Sequence, residues 1–153
     1  MADHFLDTSA LAKHYRMEPG TDVIDALLAD PNHRHFVSRL AVVEFHSALA
    51  KSVRAGLLTP REFAVLTARF RADVKDKQFE VVRVLVPHFR RAEECIRRLG
   101  ARLNLRTLDA IQMAIDLVLN ESSHSLVFVS SDRSLCGVAS SEGLSVLNPE
   151  LPT

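Results

Sequence analysis

Short apolar runs of strand length alternate along this chain with longer segments whose apolar residues recur at helical spacing. The runs fall at His4 to Asp7, His35 to Ser38, Phe79 to Val84, Ser125 to Ser130 and Leu144 to Leu147. Such alternation is the signature of βαβ units, in which each strand is followed by a helix that packs back on the sheet, so it predicts an α/β fold with a parallel sheet. At 153 residues with 47% hydrophobic content, the chain reads as one domain, 1–153, with a sizeable core.

The helical segments carry their own punctuation. A helix over Leu40 to Arg54 has Ser38 as N-cap and Gly56 as its stop, which places Glu44 within its second turn. Thr59-Pro60-Arg61-Glu62 is a capping box that opens the next helix, running to about Asp76 with Phe63, Leu66 and Phe70 on one face. Pro87 begins a stretch whose helix covers Phe89 to Arg102. A last long helix runs from Leu108 to Leu119, capped by Thr107, with Leu108, Ile111, Ile115 and Val118 inward and Asp109 in its first turn.

Four carboxylates stand where this architecture exposes them. They are Asp7 in Phe5-Leu6-Asp7-Thr8-Ser9, Glu44 in Val42-Val43-Glu44-Phe45, Asp109 in Arg106-Thr107-Leu108-Asp109-Ala110, and Asp132 in Phe128-Val129-Ser130-Ser131-Asp132. A carboxylate beside an apolar run is costly to desolvate unless it is hydrogen-bonded, paired or bound to a metal. Asp7 and Asp132 end strand-like runs, whereas Glu44 and Asp109 lie near helix starts, and both positions belong to the carboxyl edge of a parallel sheet. The acids can therefore converge if the first and fourth strands are neighbours. Oxygen-only ligation suits Mg²⁺ or Mn²⁺ better than Zn²⁺, and such an ion points to metal-assisted phosphodiester hydrolysis. Asp7 and Asp109 are the expected direct ligands. Taken singly, Asp7, Asp109 and Asp132 also read as helix caps or first-turn acids, and Asp116 reads as an exposed helix acid.

Other chemistries find little support. Lys plus Arg and Asp plus Glu are each 19, so attraction to nucleic acid has to be local. The dense arginine segment Arg90, Arg91, Arg97, Arg98, Arg102 and Arg106 has the spacing of a helical basic face, and pairing with Glu93 and Glu94 is as good a reading of it as an RNA track. The histidines His4, His14, His33, His35, His46, His88 and His124 form no zinc pattern. Cys95 and Cys136 lack CxxC spacing and read as buried thiols. There is no GxGxxG, Walker loop or GxSxG. The absence of a basic and apolar leader, and of a bilayer-length apolar run, gives the expectation of a cytoplasmic protein with no membrane contact.

Those four motifs, with Thr8-Ser9-Ala10-Leu11 after the first, Arg133 and Leu135 after the last, and the ending Glu142-Gly143-Leu144-Ser145-Val146-Leu147-Asn148-Pro149, resemble the PIN domain family and, within it, the VapC-type toxins of toxin–antitoxin modules. The resemblance covers nearly the whole chain. It implies a three-layer α/β/α sandwich with strand order 3-2-1-4-5, and a Mg²⁺- or Mn²⁺-dependent single-strand endoribonuclease. It implies that Asp7, Glu44, Asp109 and Asp132 form the catalytic metal site, with Ser9 and Ser130 as polar helpers. A homodimer and an antitoxin protein that blocks the site are implied as well. Two other readings stay open: a non-catalytic domain whose acidic pocket docks a basic partner segment, and a related nuclease of RNA processing or DNA repair.

Overall fold

The computed structural model describes residues 2–123 and 125–151, so His124 lies outside the described residues. Five parallel strands form one sheet in the order β3-β2-β1-β4-β5: β1 (Asp3–Leu6), β2 (His35–Ser38), β3 (Glu80–Val82), β4 (Leu126–Val129) and β5 (Ser145–Leu147). β1 is central and pairs in parallel with both β2 and β4, with Leu6 opposite Val37 on one side and Val129 on the other. The first and fourth strands are thus neighbours, the condition on which convergence of the acids depended.

Helices cover both faces, because strand side chains alternate. Phe5 points to one face and Leu6 to the other. Phe5 and Phe128 are buried with residues of α5 (Val86–Leu99), α6 (Thr107–Ser123) and α7 (Arg133–Ser141). Leu6, Val37 and Val129 are buried with residues of α1 (Thr8–Tyr15), α2 (Thr21–Leu28), α3 (Arg39–Arg54) and α4 (Pro60–Lys75). The result is the α/β/α sandwich with strand order 3-2-1-4-5.

Local signals set most of the helix starts. Ser38 caps α3 by accepting from the Ala41 amide, and Thr59 and Glu62 make both halves of the capping box on α4. Gly56 follows α3 at φ 71°, a left-handed turn that suits glycine. On the α4 face, Phe70 is buried and Phe63 and Leu66 pack partly buried against the same core.

Five details differ from the sequence reading, the first being that Thr107, read as the cap of the last long helix, is the first residue of α6. The helix α2 has no counterpart in that reading, since its eight residues are too few for a clear period. The helix α5 starts three residues earlier than expected, with Pro87 in its first turn, and stops at Leu99, so Arg102 and Arg106 lie beyond it and the six arginines do not share one helical face. Leu108 is 46% exposed and Val118 only partly buried. Asp116, read as an exposed acid, is 0% exposed, and neither carboxylate oxygen has a hydrogen-bond partner. The last two share a cause. α6 is sandwiched between the sheet and α5, so its middle is buried almost all round, while its first turn reaches past that cover. Burial alone pushes the Asp116 carboxyl up to about 7.

Candidate metal and nuclease site

The carboxyl edge of the sheet holds the acids. Asp7 follows β1 directly and caps α1, with Oδ1 accepting from the Ala10 amide at 2.9 Å and the Ser9 hydroxyl at 2.7 Å. Its Oδ2 accepts from Ser130 Oγ at 2.7 Å, and its own amide donates to the Val129 carbonyl at 3.0 Å, which ties β1 to the end of β4. Asp7 is 5% exposed. Burial raises its carboxyl to about 6, against the pull of Ser9, the Ala10 amide and Ser130, and with the nearby charge of Asp109 adding to the rise.

Asp132 occupies the equivalent place after β4 and caps α7 by accepting from the Leu135 amide at 3.0 Å. Ser130 Oγ accepts from the Asp132 amide at 3.1 Å, and Ser9 Oγ accepts from the Ser131 amide at 2.9 Å. Ser9 and Ser130 therefore stitch the two strand ends together around Asp7. Both were expected as helpers on resemblance alone.

Glu44 comes from the second turn of α3. Its Oε2 accepts from Thr8 Oγ1 at 2.7 Å and from Gln112 Nε2 at 2.8 Å. Gln112, on α6, accepts through Oε1 from Ser38 Oγ at 2.7 Å, and Ser38 is the cap of α3. One buried glutamine thus links α6, α3 and α1 and aims Glu44. Sequence reasoning passed over Gln112. The available signal was its position one turn after Asp109 on the same helix face, a polar residue inside an apolar stretch.

Asp109, in the first turn of α6, accepts at Oδ2 from Arg106 Nε at 2.8 Å, and Arg106 Nη2 lies 3.6 Å from Asp132 Oδ2. All four acids line one cavity of about 280 Å³ together with Thr8, Ser9, Arg106 and Gln112. A larger cavity of about 430 Å³ between α3 and α4 contains no acid among its lining residues. Cys136 lies beneath the site and donates to the Ser130 carbonyl at 3.3 Å; burial, and then the charge of Asp7, push its thiol up to about 11, so it stays protonated.

The donor set fits a hard cation. Every acid offers oxygen, and among the described residues Glu44 Oε1 and Asp109 Oδ1 accept no hydrogen bond from protein. No group of three or more His, Cys, Asp or Glu among the described residues is already arranged to hold a metal ion. A cation here has to draw the acids inward or reach them through water, and Mg²⁺ keeps water readily.

A second polar cluster sits at the opposite edge of the same sheet. His4 and His35 are register partners on β1 and β2, with ring centroids 5.4 Å apart and nearly parallel, and His33 meets His4 edge-on at 5.2 Å. His33 and His35 alternate in the sequence while His4 lies far from them, and parallel pairing of β1 with β2 brings the three together. Among the six arginines of the basic segment, Arg91 pairs with Glu94 and Glu121, and Arg98 with Glu142, so these two carry structural pairs outside the acid cavity.

The PIN domain family model matches residues 4–140, and the chain belongs to the PIN domain family. Among solved structures, VapBC2 from Rickettsia felis bound to a promoter DNA fragment is similar at TM-score 0.70 and 13% identity, over 95% of this chain and 97% of that one. The Mycobacterium tuberculosis toxin VapC20, which cleaves the sarcin–ricin loop, is similar at TM-score 0.65 and 18% identity over 99% and 100%. FitAcB from Neisseria gonorrhoeae gives TM-score 0.64 and 20% identity over 95% and 97%. At these identities the likeness is one of fold. No curated protein sequence matches significantly.

Proposed function

We propose that this protein is a Mg²⁺- or Mn²⁺-dependent single-strand endoribonuclease, the toxin of a VapBC-type toxin–antitoxin module, acting as one domain in the cytoplasm. The observation that carries the reading is the meeting of Asp7, Glu44, Asp109 and Asp132, from four separate helix starts, around one cavity at the carboxyl edge. Membership of the PIN domain family supports a nuclease, and the likeness to toxin–antitoxin complexes supports an antitoxin partner. The homodimer belongs to the same reading, and light scattering on the purified chain tests it.

When bound, a divalent cation supplies a water of lowered pKa and positive charge at the scissile phosphate. The chain's own residues do the positioning. Asp7 is held rigidly by three donors, so its geometry is fixed before any ligand arrives. Thr8 and Gln112 hold Glu44 by one oxygen and leave the other for the cation or its water. Asp109 in the first turn of α6 and Asp132 at the cap of α7 would hold the cation directly or through water, and the N-terminal amides of both helices add a partial positive field for a phosphate. No nucleophilic side chain is required, and Ser9 and Ser130 serve to orient Asp7.

Incubating the purified, partner-free chain with a mixed RNA pool tests this reading, with Mg²⁺, Mn²⁺ or EDTA and alongside Asp7→Asn. Cleavage that needs metal and Asp7 is the expected result. A folded protein that binds no divalent ion and cuts nothing would instead favour a pocket that docks a basic segment, a reading to which Arg106 lends weight by already seating a guanidinium between two of the acids.

A further inference from the structure

Arg106 precedes α6 by one residue and turns into the acid cavity. Its Nε donates to Asp109 Oδ2 at 2.8 Å and its Nη2 approaches Asp132 Oδ2 at 3.6 Å, so one guanidinium spans the first turn of α6 and the cap of α7. Its side chain is 68% exposed, so little packing holds it there. It is also the one arginine among the residues lining this cavity. Elsewhere Arg34 pairs with Asp3, Arg91 with Glu94 and Glu121, and Arg98 with Glu142, all remote from the acids.

Asp109 Oδ2 cannot serve a guanidinium and a divalent cation equally well, because both need the same lone pairs and their charges repel. We propose that Arg106 is an internal competitor for the divalent cation, released from Asp109 when the ion binds and then free to take a phosphate oxygen of the RNA on the same edge. The proposal rests on the metal-nuclease reading above. Three properties suit the side chain to this exchange. An exposed ion pair is weak enough to be displaced, at about 0.2–1 kcal/mol. A guanidinium matches phosphate as well as carboxylate, with two parallel N–H donors. The residue also stands on a connection between α5 and α6 rather than inside a helix, where its stem is free to swing.

Two measurements on the whole chain decide it. The first is Mn²⁺ affinity by calorimetry for the wild type, Arg106→Gln, Arg106→Lys and Asp7→Asn. Arg106→Gln is expected to bind Mn²⁺ about threefold tighter, the size an exposed ion pair supports, while its cleavage of single-stranded RNA at saturating Mn²⁺ falls. Arg106→Lys keeps the charge but loses the fork, and is expected to recover the wild-type Mn²⁺ affinity without recovering cleavage in full. Equal or weaker Mn²⁺ binding by Arg106→Gln overturns the competition. Tighter binding with undiminished cleavage overturns the phosphate contact and leaves the competition standing. The second is the arginine Nε–H resonance of Arg106 in the wild type, assigned by its loss in the Gln variant. It is expected to shift on adding Mg²⁺, and a signal that stays fixed at saturating Mg²⁺ overturns the release. Should the wild type show no Asp7-dependent Mn²⁺ binding at all, the metal reading itself falls, an outcome distinct from equal binding by the two chains.

Discussion

Two polar clusters occupy opposite edges of the same strands. At the carboxyl edge, β1 and β2 deliver Asp7 and Ser38; at the amino edge they deliver His4 and His35. The acid edge is richly partnered: Asp7 accepts three hydrogen bonds, Glu44 two, and a chain of hydroxyls and one amide connects α1, α3 and α6. The histidine edge is the reverse, for Nδ1 of His4, His33 and His35 and Nε2 of His35 are buried without a hydrogen-bond partner. The difference follows from the fold. Helix N-termini gather at the carboxyl edge and offer amides and capping hydroxyls to anions, whereas at the amino edge burial holds His4 and His35 below the ordinary imidazole pKa and their rings stack.

That contrast makes opposite demands on mutation. At the acid edge, Asp7→Asn keeps a good N-cap residue and the same volume, so the melting temperature is expected to hold while metal-dependent RNA cleavage falls by more than about a hundredfold. Unchanged cleavage would remove the acid edge from the chemistry. Gln112→Ala is expected to cut cleavage by about ten- to a hundredfold through the loss of Glu44's orientation, with Mn²⁺ affinity falling in parallel. If cleavage drops while metal affinity stays, Gln112 acts on something other than Glu44.

Between the edges, Asp116 supplies a purely structural control. Its folded carboxyl sits at about 7, above its ordinary value of 3.8, so the folded state holds the proton more tightly and stability is lost as pH rises through that range. Asp116→Asn stays neutral throughout and is expected to exceed the wild type by about 4 kcal/mol at pH 8 while nearly matching it at pH 4. Denaturant unfolding at both pH values measures this, and a constant gap would assign the difference to packing instead.

The smallest effect is expected at the histidine edge. Burial, and then the charges of His35 and His33, hold His4 down at about 4, with Asp3 and Asp30 pulling the other way. The unfolded chain therefore binds the extra proton first, and stability is lost as pH falls from 6.5 towards 4. His4→Gln is expected to flatten the melting-temperature profile over that window and leave RNA cleavage at pH 7.5 untouched. A loss of cleavage there would mean that the two edges communicate through β1.

Much of this was legible in the chain itself. Strand-length apolar runs, the Ser38 cap and the Thr59 capping box are local signals, and β2 and the opening of α4 fall where those signals put them. The four acids were legible too, because carboxylates beside apolar runs demand a reason. Gln112, Asp116 and the three histidines were not. Gln112 gains its meaning only from Ser38 and Glu44, 74 and 68 residues away, and Asp116 looks like any helix acid until α5 and the sheet close over α6.

Sequence by itself determined most of the alternation of elements, the caps at Ser38 and Thr59 and the residue types able to hold a hard cation, since each depends on neighbours within a few positions. Tertiary structure decided which of them meet. Strand order set β1 beside β4 and so brought Asp7 to Ser130, and the parallel register of β1 on β2 stacked His4 on His35. Pairing of that kind is long-range, and its energy lies in contacts between residues that a one-dimensional pattern does not connect.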